Sequence, residues 1–559
     1  MPRWAVVLVL LGAVLPFAES RHWPIVHDDH DLLGPASLAA DPRAGSVLLL
    51  RADLFGSVER PWGESGYWRP VTLLAFRALH WLADGQPAPL AWLGHAFTLL
   101  MHALATWGFA RVLVATGWRP HLAAGVALLY GAHPVHAEAA AWISSLTTTS
   151  ASACGLWGAA LLLAARRPRD ELLAGVLFLL ALGFKESGAL PALIAATLAL
   201  VARRPWRLAL RAPLAALATY ALLRQLVFHE GVSTSAWTGP ADAGVRWLTW
   251  LAVVPDAVRL SLWPDAATPL RPVAAATGWS TPGVLAGLGV LALLVSLAVG
   301  AAWRRSTAAL LAALALLGTL LLLAPWARLA LGFPETNVAL FERHLHLAAL
   351  AGPLLLGLAL RPWAERAPRA ALCAALLVAL PLGLRASERA RTWASDEAFA
   401  RAGLAYAPDS ASLWNHLGVA LLERQRRTGD AHVAAEALEA VERSLSLRPG
   451  DLLASVNRFI ALATLGRADD AARAAEQLLE RHPREPAVLD NVAQWHLAEG
   501  RCSTAAELFA RELETGRPLP GAEQGLDAAM DGMDAAQRAN DRPGNALEPP
   551  GAAGAEGGT

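Results

Sequence analysis

Lysine is almost missing from this chain. Lys185 is the only one, and arginine carries the rest of the basic charge. Lysine and arginine together number 47 and aspartate and glutamate also 47, so neither sign is in surplus. That balance leaves no basic footprint for a nucleic acid, and none is expected as a partner. Cysteine is nearly as scarce. Cys154, Cys373 and Cys502 lie far apart with no CxxC, which excludes a thiolate metal cage and a disulfide framework. What is present in excess is apolar: 55% of the residues are hydrophobic, and apolar runs recur from Trp4 to about Leu384. This is the pattern of an all-α, polytopic helical membrane protein.

About eleven spans are expected, near 4–18, 90–112, 121–132, 143–165, 171–184, 188–202, 208–228, 284–302, 308–323, 345–360 and 370–384. Some are short for a hydrocarbon core of about 30 Å and require tilt or extension. The first is read as a retained signal anchor, because no small-residue cleavage site precedes Glu19. Segment 247–263 is apolar but carries Pro255, Asp256 and Arg259, and is expected to be re-entrant or interfacial. The basic loops then fall on one side: Arg166-Arg167-Pro168-Arg169, Arg203-Arg204 with Arg207, Arg304-Arg305, and 361–369.

The same topology gathers the polar clusters on the opposite face. They are His27-Asp28-Asp29-His30-Asp31, Arg69, the stretch from His133 to Glu138, Lys185-Glu186 and Glu342-Arg343. Charged side chains this close to a bilayer are costly unless they face water or a partner, so each is a candidate site residue. The first outer loop, 19–89, is too long for a simple connector. Within it an amphipathic helix is expected from about Val71 to Leu82, with Leu74, Leu79 and Leu82 on its apolar face. Trp68 and Trp81 would be its interfacial anchors.

Beyond Leu384 the composition turns soluble and helical. Gly466 and Gly500, Ala471 and Ala505, and Pro449 and Pro483 are each separated by 34 residues. This is the tetratricopeptide period, in which small residues let paired helices approach. An earlier unit begins at Trp414, Leu417 and Gly418 and is stretched by the insert from Arg424 to Asp430. Three units are expected between Asp409 and Glu514. The expected organisation is a membrane domain over 1–386, a repeat domain over 387–535 and a disordered tail over 536–559.

Taken in order, these motifs resemble the transmembrane and tetratricopeptide-repeat O-mannosyltransferases, of the GT-C class of polyprenyl-phosphate-dependent glycosyltransferases. The residues that carry the resemblance are Asp28-Asp29, Ser65-Gly66-Tyr67-Trp68-Arg69-Pro70, His133-Pro134-Val135-His136-Ala137-Glu138, Lys185-Glu186 and Glu342-Arg343-His344-Leu345. After the His-Pro motif this chain has Ile143-Ser144-Ser145-Leu146 and three threonines, where the family has a Gly-Arg-containing stretch.

The resemblance implies a GT-C-like membrane domain. It also implies transfer of a sugar, mannose, from a polyprenyl phosphate to Ser or Thr hydroxyls of extracytoplasmic proteins held by the repeats. The compartment would be the periplasmic side of a bacterial inner membrane, or the endoplasmic reticulum in a eukaryote. Asp28 is the implied general base, with Asp29 second. A hydroxyl acceptor needs a base, whereas a phosphate leaving group needs only charge stabilisation, so one carboxylate suffices. Arg69, Lys185 and Arg343 are candidates for the carrier phosphate. Glu186 and Glu342 would orient their basic neighbours or contact the sugar, and His133, His136 and Glu138 would contribute to the donor site.

No cofactor is required. A divalent metal is the less favoured reading, because neither His133, His136 and Glu138 nor His27, Asp28, Asp29 and His30 have cage spacing. His95 and His102 are read as core residues of a span. Two rival classes remain: a non-catalytic membrane-anchored repeat scaffold, and a transporter, which would carry its polar groups nearer midplane. Within the transferase reading, another sugar moved to a lipid or glycan is the alternative.

Overall fold

The computed structural model describes residues 1–35, 37–56, 67–227, 243–263, 271–323, 339–516, 519 and 521–540. Ser65 and Gly66, and the tail beyond 540, lie outside them. Among these residues the chain is helical almost throughout. One two-stranded antiparallel ladder pairs Arg271 with Leu340 and Pro272 with Ala339. The chain forms two compact units, Met1–Leu413 and Trp414–Thr559.

Proline sets many of the helix starts in the first unit. Pro70, Pro87, Pro120, Pro168, Pro282 and Pro368 each open a helix. At that position the missing N–H costs nothing and the fixed φ is already helical. Among the described residues, five helical segments are long and apolar enough to cross a membrane: Arg3–His22, Pro87–Ala115, Ile143–Ala164, Pro282–Trp303 and Pro368–Trp393. Glu186–Val201 and Thr307–Leu322 are shorter apolar helices.

The segments differ in how much protein covers them. Within the apolar 18-residue stretch of each, 83% of the residues are buried in Ile143–Ala164, against 22% in Pro282–Trp303 and 11% in Pro368–Trp393. The last two expose Leu285, Leu293, Leu297, Leu377, Leu380 and Leu384. A helix apolar all round but covered on one side only is stable in lipid, not in water.

Segment 247–263 is neither a loop nor a hairpin. It lies in one continuous helix, Ala243–Leu262, with Pro255 inside. It packs against Pro282–Trp303. The amphipathic helix runs Pro70–Leu82 and buries Thr72, Leu73, Phe76 and Leu79. Leu82 is exposed instead, and so is Trp81. Trp68 is not an interfacial anchor: it is buried, and its indole N–H donates to the Leu50 carbonyl at 3.0 Å.

The change of composition after Leu384 does not end the last apolar helix, which continues as Pro368–Ala390. Arg385–Ala390 has no Gly or Pro to stop the helix, and apart from Ser387 its Arg, Ala and Glu residues all have high propensity. Ala386, Ala390, Trp393 and Phe399 then join Phe17, Val26, Ala137 and Trp142 in a buried cluster of the first unit. Trp142 and Trp393 stack with centroids 4.7 Å apart.

The second unit is a run of antiparallel helices: Ala431–Leu447, Leu452–Thr464, Ala468–Arg481, Pro486–Ala498, Cys502–Glu514 and Ala522–Asn540, preceded by the rest of Ala411–Thr428. Gly466 and Gly500 occupy the turns at φ +68° and +73°, a left-handed conformation that favours glycine. Ala471 and Ala505 are fully buried where helices meet. A Cβ on Gly418 would lie 2.3 Å from Val441 Cγ2, which explains the small residue there. The insert lengthens the first helix of the first repeat: Ala411–Thr428 has 18 residues, against 13 in Leu452–Thr464 and Pro486–Ala498.

Candidate functional site

Asp28 and Asp29 follow His27, which turns the chain at φ +57°. Asp28 stands at the N-terminal boundary of the short helix Asp29–Leu33, its side chain making no capping hydrogen bond. The two carboxylates have opposite surroundings. Asp29 is buried; its Oδ1 accepts the Ser144 N–H at 2.7 Å and the Ser144 hydroxyl, and its Oδ2 accepts the Val26 N–H at 3.1 Å. Burial pushes its carboxyl up to about 7, against those hydrogen bonds. Asp28 keeps 30% of its side chain exposed, with Oδ1 2.5 Å from His27 Nδ1. Burial opposes a charged His27 ring, but Asp28 and then Asp396 outweigh it and raise its pKa above the usual histidine value.

Two residues that the sequence reading missed hold this loop. Ser144, from the stretch after the His-Pro motif, grips Asp29. Asp396, beyond the last apolar run, accepts the His27 N–H at 2.9 Å and lies 2.8 Å from His30 Nε2. Trp142 adds a third tie, its indole donating to the Val26 carbonyl at 3.1 Å.

The acids and bases further along the chain do not pair with their sequence neighbours. Glu186 accepts Arg69 Nη2 at 2.9 Å and Nε at 3.1 Å. Arg69 also lies 4.5 Å over the Tyr67 ring. Glu138 accepts the Arg343 backbone N–H at 3.0 Å and pairs with its guanidinium. Glu342 pairs with Arg389, with Arg271 at 3.6 Å behind it. Burial raises the Glu342 pKa although Arg389 opposes this. All three glutamates are thus engaged by arginines, two of them 117 and 205 residues away.

Lys185 is buried where the helix Pro168–Phe184 ends, and its Nζ donates to Thr148 Oγ1 at 2.7 Å. Burial, then the Arg69 and Arg343 cations, holds its amine well below the usual lysine range. Lys185, Arg343, Thr148, Ser187 and His344 line one small cavity. Arg343 also lies 4.0 Å over Phe341 and 5.0 Å over Trp142, the residue that ties down the Asp28 loop. The structure therefore brings Asp28, Asp29, Glu138, Lys185, Arg343 and, through Glu186, Arg69 into one electrostatically connected region. At the other end of the Leu146–Ala164 helix, the basic loop residue Arg204 donates to the Leu162 and Ala165 carbonyls.

The histidines are placed differently from the reading by motif. His133 is buried and neutral, held down to about 3 by burial and then by Arg389, and its Nδ1 accepts the Val135 N–H at 3.3 Å. His136 does not join Glu138 but packs with His102 and His346, rings from a span and from the turn after Arg343.

No family model matches the chain. Two curated proteins of Drosophila melanogaster match part of it. Protein O-mannosyl-transferase Tmtc2 is 41% identical over 90 residues, 16% of this chain and 9% of that protein. Protein O-mannosyl-transferase Tmtc1 is 40% identical over 95 residues, 16% of this chain and 10% of that protein. The chain is related in part to these proteins. It spans about a tenth of their length. A solved structure titled "Crystal structure of APC/C hetero-tetramer Cut9-Hcn1" aligns over 83% of this chain and 95% of its own at 15% identity, with a TM-score of 0.23, too low to bear on the fold.

Proposed function

We propose that this chain is a membrane glycosyltransferase of GT-C type that moves mannose from a polyprenyl phosphate to Ser or Thr hydroxyls of extracytoplasmic proteins. The observation that carries the reading is the connection between the Asp28 loop and the Lys185–Arg343 cavity, made by Trp142, which lies under Arg343 and donates to Val26. The partial likeness to protein O-mannosyl-transferases supports the same chemistry.

In this reading Asp28, the partly exposed carboxylate, takes the proton of the acceptor hydroxyl as the new bond to the sugar C1 forms. The bond from C1 to the phosphate oxygen breaks, and the polyprenyl phosphate leaves with one further negative charge. Lys185 and Arg343 receive that charge, and Glu138 fixes the Arg343 guanidinium. Asp29 is a positioning residue that locks the loop onto Ser144, and Arg69 is positioned by Glu186. The repeats supply a surface for the protein acceptor. No metal takes part in these steps.

The test is Asp28→Asn in membranes expressing normal amounts of the chain, supplied with mannosyl polyprenyl phosphate and a Ser/Thr-rich peptide. Transfer is expected to fall by at least two orders of magnitude, within the range of general-base contributions. Undiminished transfer by the variant would remove Asp28 from this role. Transfer by the wild type to a lipid or glycan, with peptide untouched, would reassign the acceptor.

A further inference from the structure

His102, His136 and His346 come from three separate parts of the first unit and converge in its interior. All three are buried, at 0%, 0% and 1% exposure, and they offer ligand nitrogens within 4.8 Å of one another. The His136 ring lies 4.9 Å from that of His102 and 4.5 Å from that of His346. We propose that these three imidazoles form a site for a divalent zinc-class ion.

The contacts of each ring favour this use. His102 Nε2 lies 3.1 Å from the Gly131 carbonyl, so it carries the proton and leaves the Nδ1 lone pair directed inward. A backbone carbonyl on the far nitrogen is the usual outer partner of a metal-bound histidine. His346 has its Nδ1 3.1 Å from the Tyr130 hydroxyl, which gives that ring an outer partner too and turns its Nε2 inward. His102 Nδ1 and His346 Nε2 stand 3.1 Å apart. Two nitrogens bound tetrahedrally to zinc at about 2.0–2.1 Å are about 3.3 Å apart, so this pair already has nearly the right edge.

His136 is the independent sign. Both its ring nitrogens are buried with no hydrogen-bond partner, the Tyr130 carbonyl beside it falling outside bonding geometry. Buried polar groups are nearly always satisfied, so an orphaned imidazole facing two others points to a ligand between them.

The donor set selects the ion. Three neutral imidazoles with no carboxylate do not suit calcium or magnesium, which take oxygen ligands, and no thiolate is present for a softer ion. Zinc accepts three histidines and leaves a fourth position for water or hydroxide. The ion would join the Pro87–Ala115 helix to two turns that also carry Glu138 and Arg343, and so brace that ion pair. The sequence hides the set, because His102 and His136 are separated by 34 residues and His346 by a further 210.

The full chain, purified in detergent without chelators and supplied with Zn2+, is expected to hold about one equivalent by elemental analysis. Exchange with Co2+ is expected to give the intense ligand-field bands of a four-coordinate site. His136→Gln should lower occupancy at least tenfold, while His95→Gln, which removes another buried histidine of the Pro87–Ala115 helix, should leave it unchanged. Failure of the wild type to retain either ion overturns the site, as does equal retention by wild type and His136→Gln. Should that variant not fold, X-ray absorption of the zinc-loaded wild type decides: imidazole nitrogens at about 2.0 Å support the site, and a shell without imidazole overturns it. None of these readouts involves sugar transfer, so the site stands or falls separately from the proposed activity.

Discussion

The carboxylate of Asp396 accepts the backbone N–H of His27 at 2.9 Å, across 369 residues of chain. Its second oxygen meets His30 Nε2 at 2.8 Å. One side chain from beyond the last apolar run therefore fixes both ends of the segment that displays Asp28. Asp396→Ala is expected to free that segment while leaving Asp28 itself intact. The loss of a charged acceptor is about 1.5–3 kcal/mol, or roughly ten- to a hundredfold in local opening. Hydrogen exchange of the peptide around Val26–Leu33 reads this directly, and unchanged protection would mean that Ser144 and Trp142 suffice.

Glu342 and Arg389 form a buried pair, 3% and 1% exposed. Removing either partner leaves an uncompensated charge in the interior, so Arg389→Ala should cost about 3–5 kcal/mol. Glu342→Gln combined with Arg389→Met should be more stable than Arg389→Ala, because the buried carboxylate is then not left charged with only Arg271, at 3.6 Å, to meet it. Thermal unfolding in detergent compares the three. A double variant less stable than the single one would show that Arg271 already compensates Glu342.

Lys185 bears on carrier binding through its proton. Its amine is held well below the usual lysine range by burial and two neighbouring guanidinium groups. A phosphate entering the cavity raises the amine pKa, so binding takes up a proton wherever the empty site is neutral. Affinity for a polyprenyl phosphate should then fall as pH rises through the window between the two pKa values. Calorimetry in buffers of different ionisation enthalpy measures the uptake, and Lys185→Met should abolish it. Uptake that persists in that variant would place the proton elsewhere.

Asp29 gives a pH dependence of opposite sign to that of an ordinary ion-paired carboxylate. Its folded pKa is about 7, above an unfolded value of about 3.9. The folded state therefore binds the proton more tightly, and Asp29 favours folding increasingly as pH falls from about 7 towards 4. Below that window both states are protonated and the contribution is constant. The difference in melting temperature between wild type and Asp29→Asn should change across this window and level off outside it. A flat difference from pH 4 to 8 would show that Asp29 stays ionised in the fold.

The sequence carried the helices and the repeats but not the pairings. Hydrophobic runs and proline starts are local signals, and so is the 34-residue spacing that places Gly466 and Gly500 in turns. Ion pairing is not local. Arg69 finds Glu186 and Arg343 finds Glu138, while the adjacent pairs Lys185-Glu186 and Glu342-Arg343 are misleading because neighbours in a turn point apart. Arg389 had one usable sign: it lies a turn after Arg385 in a stretch with nothing to stop the preceding apolar helix. Ser144 had another, as one of several hydroxyls in an otherwise apolar setting. Asp396 had none, since its partners lie at the opposite end of the first unit's sequence.

The solitary lysine has a practical consequence. An amine-directed acylating reagent has one side-chain target in the whole protein, and that target is buried in the cavity beside Arg343. Its labelling rate is thus a native clock for how often the cavity breathes, readable by mass spectrometry without introducing a dye. A lipid phosphate seated there should slow that clock, turning the chain's poverty in one amino acid into its own occupancy gauge.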